Sequence, residues 1–194
     1  MVSPQFATSH ADEGLSTTVP ARPSEGEIRA FRACAGSFAT GVCIVSSEAG
    51  GVPAGMTLNS FASVSLDPFL VLVSLMADSR TSHAVHESGR YSVSVLAAGQ
   101  RRVALAFARR GQAFPLDQVE RTDFGFEVPS AVAHIHCQVH DSTRISDHDL
   151  VIGKVVDFSM RAGPPLVFHA GRFGRLHRED SAMPDPGLLE RFGW

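Results

Sequence analysis

Hydrophobic positions recur every three or four residues in some stretches of the chain and every second residue in others, and the change of period divides it into elements. Ile28, Phe31, Ala35 and Phe38 fall at helical spacing. Ser24 and Glu27 ahead of them have the spacing of a capping box, so a helix is expected from Ser24 to a stop at Gly41. Residues 42–46 are a short apolar run, Glu48-Ala49-Gly50-Gly51 reads as a turn, and Val52 begins a return strand, which together predict a hairpin. In AGMTLNSFASVSLDP (54–68), Met56 and Leu58 alternate with Thr57 and Asn59, whereas Val64 and Leu66 alternate with Ser63, Ser65 and Asp67. The two alternations are out of phase across Ser60-Phe61. Such a slip predicts a bulge or bend that re-aims side chains and leaves backbone amides unpaired.

Residues 69–75 are apolar at both parities and read as a central strand covered on both faces. A short helix with Thr81 as its expected N-cap ends near Gly89, and residues 91–96 form a strand. Residues 100–110 read as a helix with Val103, Ala106 and Phe107 inward, stopped by Gly111. Residues 112–130 have no period and read as one long loop. From 131 to 139 the odd positions (Ala131, Ala133, Ile135, Cys137, Val139) face one way and Val132, His134, His136 and Gln138 the other, with His140 continuing the second row. Residues 150–158 and 166–173 are read as two more strands. Strands mostly follow one another without intervening helices. The class is therefore mainly β with helices (α+β), an antiparallel barrel or sandwich, not a doubly wound sheet. The chain reads as one domain, residues 24–177, between an aperiodic tail at 1–23 and a charged, Pro-rich tail at 178–194.

Composition narrows the function classes. With 194 residues, 44% hydrophobic, and a net charge of −3, the chain suits one soluble domain and offers no basic face for a nucleic-acid backbone. No apolar run approaches the roughly 20 residues that cross a bilayer, so no membrane association is expected. The N-terminus has no apolar signal region, and a cytoplasmic location is expected. Cys34, Cys43 and Cys137 are odd in number, match no zinc spacing and read as buried thiols of a reducing compartment.

Candidate chemistry lies in four places. Thr57, Asn59 and Ser60 present short donors and acceptors at the phase slip, which by themselves read as an ordinary strand bend before they read as a surface suited to a flat heterocycle. Ser79-Arg80-Thr81 joins two hydroxyls, a guanidinium and a helix start, the chemistry of a phosphate grip or of a plain cap. His148, in Asp147-His148-Asp149, could poise a substrate or move a proton. His134, His136 and His140 at alternate positions could ligate a metal, although no carboxylate partner is evident beside them and no metal is assigned. A strand-borne G-x-G-x-x-G, a Walker A lysine and a G-x-S-x-G elbow are all missing from the sequence.

Six segments in order, FATGV (38–42), GMTLNSFASVSLDP (55–68), DSRTSH (78–83), SVSVLAAGQ (92–100), DHDLVIGKV (147–155) and PLVFHAGRFGRL (165–176), make the chain resemble the flavin reductase family. These are the reductase components of two-component flavin-dependent monooxygenases. The resemblance implies an antiparallel Greek-key split β-barrel of the FMN-binding type, homodimeric. It also implies an NAD(P)H:flavin oxidoreductase that reduces FMN or FAD with NADH or NADPH and supplies reduced flavin to a monooxygenase partner. By the same resemblance Thr40, Gly41 and Val42 lie against the isoalloxazine, and Thr57, Asn59 and Ser60 hydrogen-bond it. Ser63, Val64, Ser65 and Leu66 run along the ring, and Ser79, Arg80 and Thr81 grip the phosphate. Phe107, Ala108 and Arg109 flank the phosphate side, His148 stands near the nicotinamide, and Phe173 closes the site. Two departures from the family are visible: Pro68-Phe69 stands where a second proline is usual, and Arg144-Ile145-Ser146-Asp147 lacks the usual glycine before His148. The alternatives carried forward are a flavin-binding carrier module without reductase turnover and a histidine metal enzyme.

Overall fold

In the computed structural model, residues 22–109 and 111–176 are described. The tail expected at 178–194 lies outside these residues, as does the one expected at 1–23 apart from Arg22 and Pro23. Helix α1 (Glu25–Ala35) begins as its capping box dictates: Ser24 Oγ accepts from Glu27 N at 3.3 Å, and the Glu27 carboxylate accepts from Ser24 N at 2.8 Å. It stops earlier than expected, because the Gly36 amide caps it by donating to the Arg32 carbonyl at 2.9 Å. No residue of α1 is buried, and Phe31 (73%) and Phe38 (78%) stand exposed.

The remaining elements are β1 (Thr40–Gly41), β2 (Cys43–Ala49), β3 (Val52–Leu58), β4 (Phe61–Leu66), β5 (Phe69–Met76), α2 (Arg80–Ser88), β6 (Arg90–Val95) and α3 (Arg101–Ala108). A 3-10 turn (Leu116–Gln118) leads to β7 (Glu120–Thr122) and β8 (Gly125–Glu127), then β9 (Ala133–Ile145), β10 (His148–Met160), β11 (Leu166–His169) and β12 (Arg172–Arg175). The main sheet has seven strands in the order β3-β2-β6-β9-β10-β5-β4. A three-stranded sheet (β1-β11-β12) and the β7-β8 hairpin complete the strands, and every pairing is antiparallel.

The strand order explains the phase slip in the sequence. β3 and β4, separated only by Asn59 and Ser60, are the two opposite edges of the main sheet. The chain leaves one edge and joins the other, so the sheet must curl enough to bring the end of β3 near the start of β4; two linking residues hold the flanking Cα atoms within about 11 Å. The bulge itself comes later than the sequence suggests: Ser63 pairs with Val71 and Ser65 with Leu70, which leaves Val64 as the extra residue.

Other expectations are corrected. Ser79, not Thr81, caps α2, its Oγ accepting from Ser82 N at 3.0 Å. β5 is buried on one face only, at Val71, Val73 and Leu75, and is not covered on both. The stretch read as a loop at 112–130 contains the β7-β8 hairpin, and the strand read at 166–173 is a hairpin turning at Ala170 (φ 47) and Gly171 (φ 76). Within the β9-β10 pairing, Val139 faces Gly153 and Asp141 faces Ile152, which leaves His140 as a bulge out of line with His134 and His136.

One core fills the curl of the main sheet, with Val45, Val73, Leu75, Tyr91, Val93, Cys137 and Val151 fully buried. A second joins β2, α3 and β11 through Ile44, Leu96, Ala104, Phe107 and Leu166. Burial pushes the Cys43 and Cys137 thiols up to about 12, as inert core residues require. Cys34 departs from the expectation and is exposed. Gly153 is where the backbone of β10 crosses Tyr91: a Cβ there would stand 2.0 Å from the tyrosine hydroxyl. That hydroxyl is the buried side-chain polar atom without a hydrogen-bond partner among the described residues. Burial, with Cys137 beside it, drives its acid dissociation far above the ordinary phenol value.

Candidate functional site

At the seam where the sheet edges meet, β1 sets Thr40 opposite Phe168 of β11. Thr40 Oγ1 accepts from Asn59 Nδ2 at 3.1 Å, so the two predicted polar residues are in contact. Gly41, next to them, is exposed, and a Cβ on it would meet nothing within 4 Å. This is open backbone against which a flat ring can lie. Val42 is 2% exposed and belongs to the second core, so only its main chain could face a ligand.

The hydroxyls at the phase slip are largely engaged by the fold. Thr57 Oγ1 donates to the Ala104 carbonyl of α3 at 2.6 Å. Ser60 Oγ donates to the Ser74 carbonyl at 3.0 Å and accepts from Ser74 N at 3.3 Å, standing in for ladder bonds where β4 has not yet begun. Asn59, which is exposed, is the residue of the three that projects outward.

β4 divides its predicted residues between two faces. Ser63 and Ser65 turn inward and line, with Phe61, Leu70, Ile135 and Val155, an apolar groove of about 340 Å³. Leu66 joins them at the groove's open rim, 58% exposed, and Val64, the bulged residue, points to solvent at 51%. Because Leu66 pairs with Phe69 while Ser60 meets Ser74, the groove and the seam lie toward opposite ends of β5, whose length is about 23 Å.

The phosphate-grip candidates do converge. Ser79 is consumed as the cap of α2. Arg80, Thr81, Phe107 and Arg109 line one small pocket of about 40 Å³ with Gln112 and Phe114. Arg80 Nη2 donates to the Gln112 carbonyl at 2.8 Å, so its guanidinium is already aimed across that pocket. Phe107 forms a wall, packed edge-on against Phe114 at 5.2 Å, and Ala108 is exposed at the end of α3. Gly55 lets this wall close on β3, since a Cβ there would lie 2.9 Å from Phe114 and 3.1 Å from Phe107. Gln112 and Phe114 were invisible in an aperiodic stretch, whereas a glycine inside a strand such as Gly55 is a legible sign of close approach.

His148 opens β10 opposite Met76, directly before the α2 loop, with Nδ1 2.8 Å from Asp147 Oδ1. That hydrogen bond holds the exposed Asp147 carboxyl below the usual range. Ser146 in the turn takes φ 56, the left-handed conformation that glycine adopts more readily. Phe173 packs against Phe168 at 5.4 Å, with the Arg101 guanidinium 5.9 Å over its ring; it stands two strands across from Thr40. His134 and His136 share Glu127, at 3.8 and 2.8 Å, while His140 is exposed. Among the described residues no group of three or more metal-ligating side chains is arranged to hold an ion.

Residues 35–177 match the family described as Flavin reductase like domain. The FMN reductase (NADH) SmoA of Agrobacterium fabrum is 39% identical over 158 residues, covering 81% of this chain and 91% of that protein. The flavin-dependent monooxygenase reductase subunit HsaB of Rhodococcus jostii is 33% identical over 161 residues, covering 81% and 82%. Among solved structures, the NADH:FAD oxidoreductase SgcE6 of Streptomyces globisporus, in complex with NAD and FAD fragments, superposes with a TM-score of 0.75 at 31% identity over 80% of this chain and 96% of that one.

Proposed function

The chain belongs to the flavin reductase-like family, and on that premise we propose that it is an NADH-dependent flavin reductase that delivers reduced FMN or FAD to a monooxygenase partner. The observation that carries the reading is the convergence of Arg80, Thr81, Phe107 and Arg109, far apart in sequence, on one pocket at the start of α2. Two guanidiniums and a helix start there suit a flavin's phosphate. The open backbone at Gly41, next to the Thr40–Asn59 contact, leaves room for a planar ring.

When bound, a flavin would supply the redox chemistry, as acceptor of a hydride from reduced nicotinamide. The protein's own part is placement. Arg80 and Arg109 hold the anionic end. Asn59 and the exposed main chain at Gly41 orient the ring edge. Phe173 and Phe168 limit water on the β11-β12 side. His148, half-exposed at the hairpin tip, contacts the nicotinamide, with its ring orientation set by Asp147. No general base is needed, because a hydride transfer leaves no proton to remove at the donor carbon.

The domain spans residues 24–177, and the curled main sheet forms a split barrel in which the seam at Asn59-Ser60 is the opening. The protein is a homodimer: α1, with no buried residue, and the outward Val64, Leu66, Phe69, Phe158 and Met160 expose more apolar surface than one copy can cover. Among the described residues no helix is long and apolar enough to cross a membrane; the free thiols suit the cytoplasm. The test mixes protein, NADH and FMN or FAD and follows NADH absorbance. Flavin-dependent oxidation is expected; its absence with both flavins, while flavin still binds, would convert the protein into a carrier.

A further inference from the structure

Asp149 is the most enclosed charge beside the candidate site. It is 3% exposed and follows His148 on the opposite face of β10, so the two residues point to the two sides of one strand. Its carboxylate is fully engaged. Oδ1 accepts from Arg144 Nε at 2.8 Å, and Oδ2 accepts from Arg144 Nη2 at 3.3 Å and from Ser82 Oγ at 2.6 Å. Ser82 is itself fully buried in the first turn of α2, and its amide donates to the Ser79 cap. A second strap runs parallel: His86 of α2 places Nδ1 2.8 Å from the Ser82 carbonyl and Nε2 2.9 Å from Ser142 Oγ of β9. Arg144 also approaches Asp78 at 3.9 Å, and the Ala77 amide donates to the Asp147 carbonyl at 3.0 Å.

Together these bonds lock the β9-β10 hairpin tip, which carries His148, against the helix that carries Arg80 and Thr81. A buried carboxylate with three donors is costly to desolvate and is stable only in one geometry. We propose that Asp149, with Arg144, is a positioning residue that fixes His148 relative to the anion-binding start of α2, and so sets the span over which the nicotinamide meets the flavin. This rests on the function proposed above. A purely structural ion pair would stiffen the fold without distinguishing one ligand from the other; a positioning residue acts through His148 and on the nicotinamide alone.

The experiment measures NADH affinity from its own fluorescence in the absence of flavin, flavin affinity from flavin quenching, and thermal stability. It compares wild type, Asp149→Asn, His148→Ala and the double variant. Asparagine keeps the shape and the Ser82 bond but loses the charge that holds Arg144. Arg144→Gln, at a side chain 56% exposed, is the companion variant should Asp149→Asn fold poorly. Displacing His148 by a fraction of an ångström is expected to weaken NADH binding about tenfold, with flavin affinity within about twofold of wild type. In the His148→Ala background the same substitution is expected to change NADH affinity less than about twofold, since coupled residues are not additive. Equal weakening of both ligands, an undiminished effect without His148, or a loss of stability with unchanged NADH affinity would each overturn the inference. Wild-type protein that binds neither NADH nor flavin would overturn the functional reading and this inference together, whereas wild type that binds both while the variants do too overturns the inference alone.

Discussion

Gly153 is the position where one added carbon should do the most damage. A Cβ there would stand 2.0 Å from the Tyr91 hydroxyl, 2.7 Å from its Cζ and 2.9 Å from Cys137 Cβ. None of these can retreat, because Tyr91 and Cys137 are both 0% exposed in the main core. Overpacking typically costs about 1–3 kcal/mol, and three contacts under 3.0 Å put Gly153→Ala at the upper end. The smaller unfolded-state entropy of alanine offsets about 0.5–1 kcal/mol. The net expectation is a loss of about 2–3 kcal/mol, or about 5–10 °C in Tm for a domain of this size. Tyr91→Phe gives the control. It deletes a hydroxyl that, among the described residues, has only the Cys137 thiol beside it and no oxygen or nitrogen partner, so alone it should leave stability unchanged or raise it by about 0.5–1 kcal/mol. In the Gly153→Ala background it removes the 2.0 Å contact but not the ring carbon behind it, and should restore about half of the loss, a clear departure from additivity. Urea unfolding of the four proteins reads all of this. If Gly153→Ala unfolded within a few tenths of a kcal/mol of wild type, or if Tyr91→Phe gave no relief to it, the packing described at this crossing would be wrong.

Three further outcomes follow from the site. Arg80→Ala should weaken flavin binding by about 1–3 kcal/mol, read by fluorescence quenching, and unchanged affinity would remove it from the phosphate site. Gly41→Ala should leave Tm unaltered, since its Cβ meets nothing within 4 Å, yet weaken flavin binding if the ring lies there; equal binding would move the ring elsewhere. Arg144 first, then Ser82, hold the Asp149 carboxyl below its ordinary value against the opposing effect of burial, with His86 adding to the pull. The folded state therefore binds that proton more weakly than the unfolded state. The resulting stability is complete above the unfolded value of about 4 and fades as pH falls through the depressed one. Urea midpoints of wild type and Asp149→Asn should thus differ by a constant amount at neutral pH and converge in acid; a gap that stays constant through the acid range would contradict the ion pair.

Local signals were legible where they were local. The capping box of α1 is satisfied atom by atom, and the strands expected at 91–96 and from 131 onward form as β6 and β9. The end of α1 was misplaced because Gly36 and Gly41 both look like stops, and nothing in the sequence says which amide reaches back. β7 and β8 have three residues each, too short for any period to show. The turn at Ala170 depends on an alanine in the left-handed region, where composition gives no warning. At the candidate site, Arg80 and Thr81 of α2 and Phe107 of α3 line one pocket, whereas Thr57 and Ser60, notable in the sequence for their hydroxyls, spend them on Ala104 and Ser74. Side-chain type announces a donor; only tertiary structure says whom it serves. Asp149 was passed over for the same reason, since its partners Ser82 and Arg144 come from different elements.

The join at Asn59-Ser60 has a consequence for how the molecule can be altered. Residues 58 and 61 are near neighbours along the chain and yet sit at the extremes of a seven-strand ladder, so this is the shortest tether across the longest hydrogen-bonded path in the molecule. Elsewhere an extra residue or two in a turn would be absorbed at the surface. Here it would slacken the clasp that keeps the sheet rolled, letting its rims drift apart and carrying Asn59 away from Thr40 in the same movement.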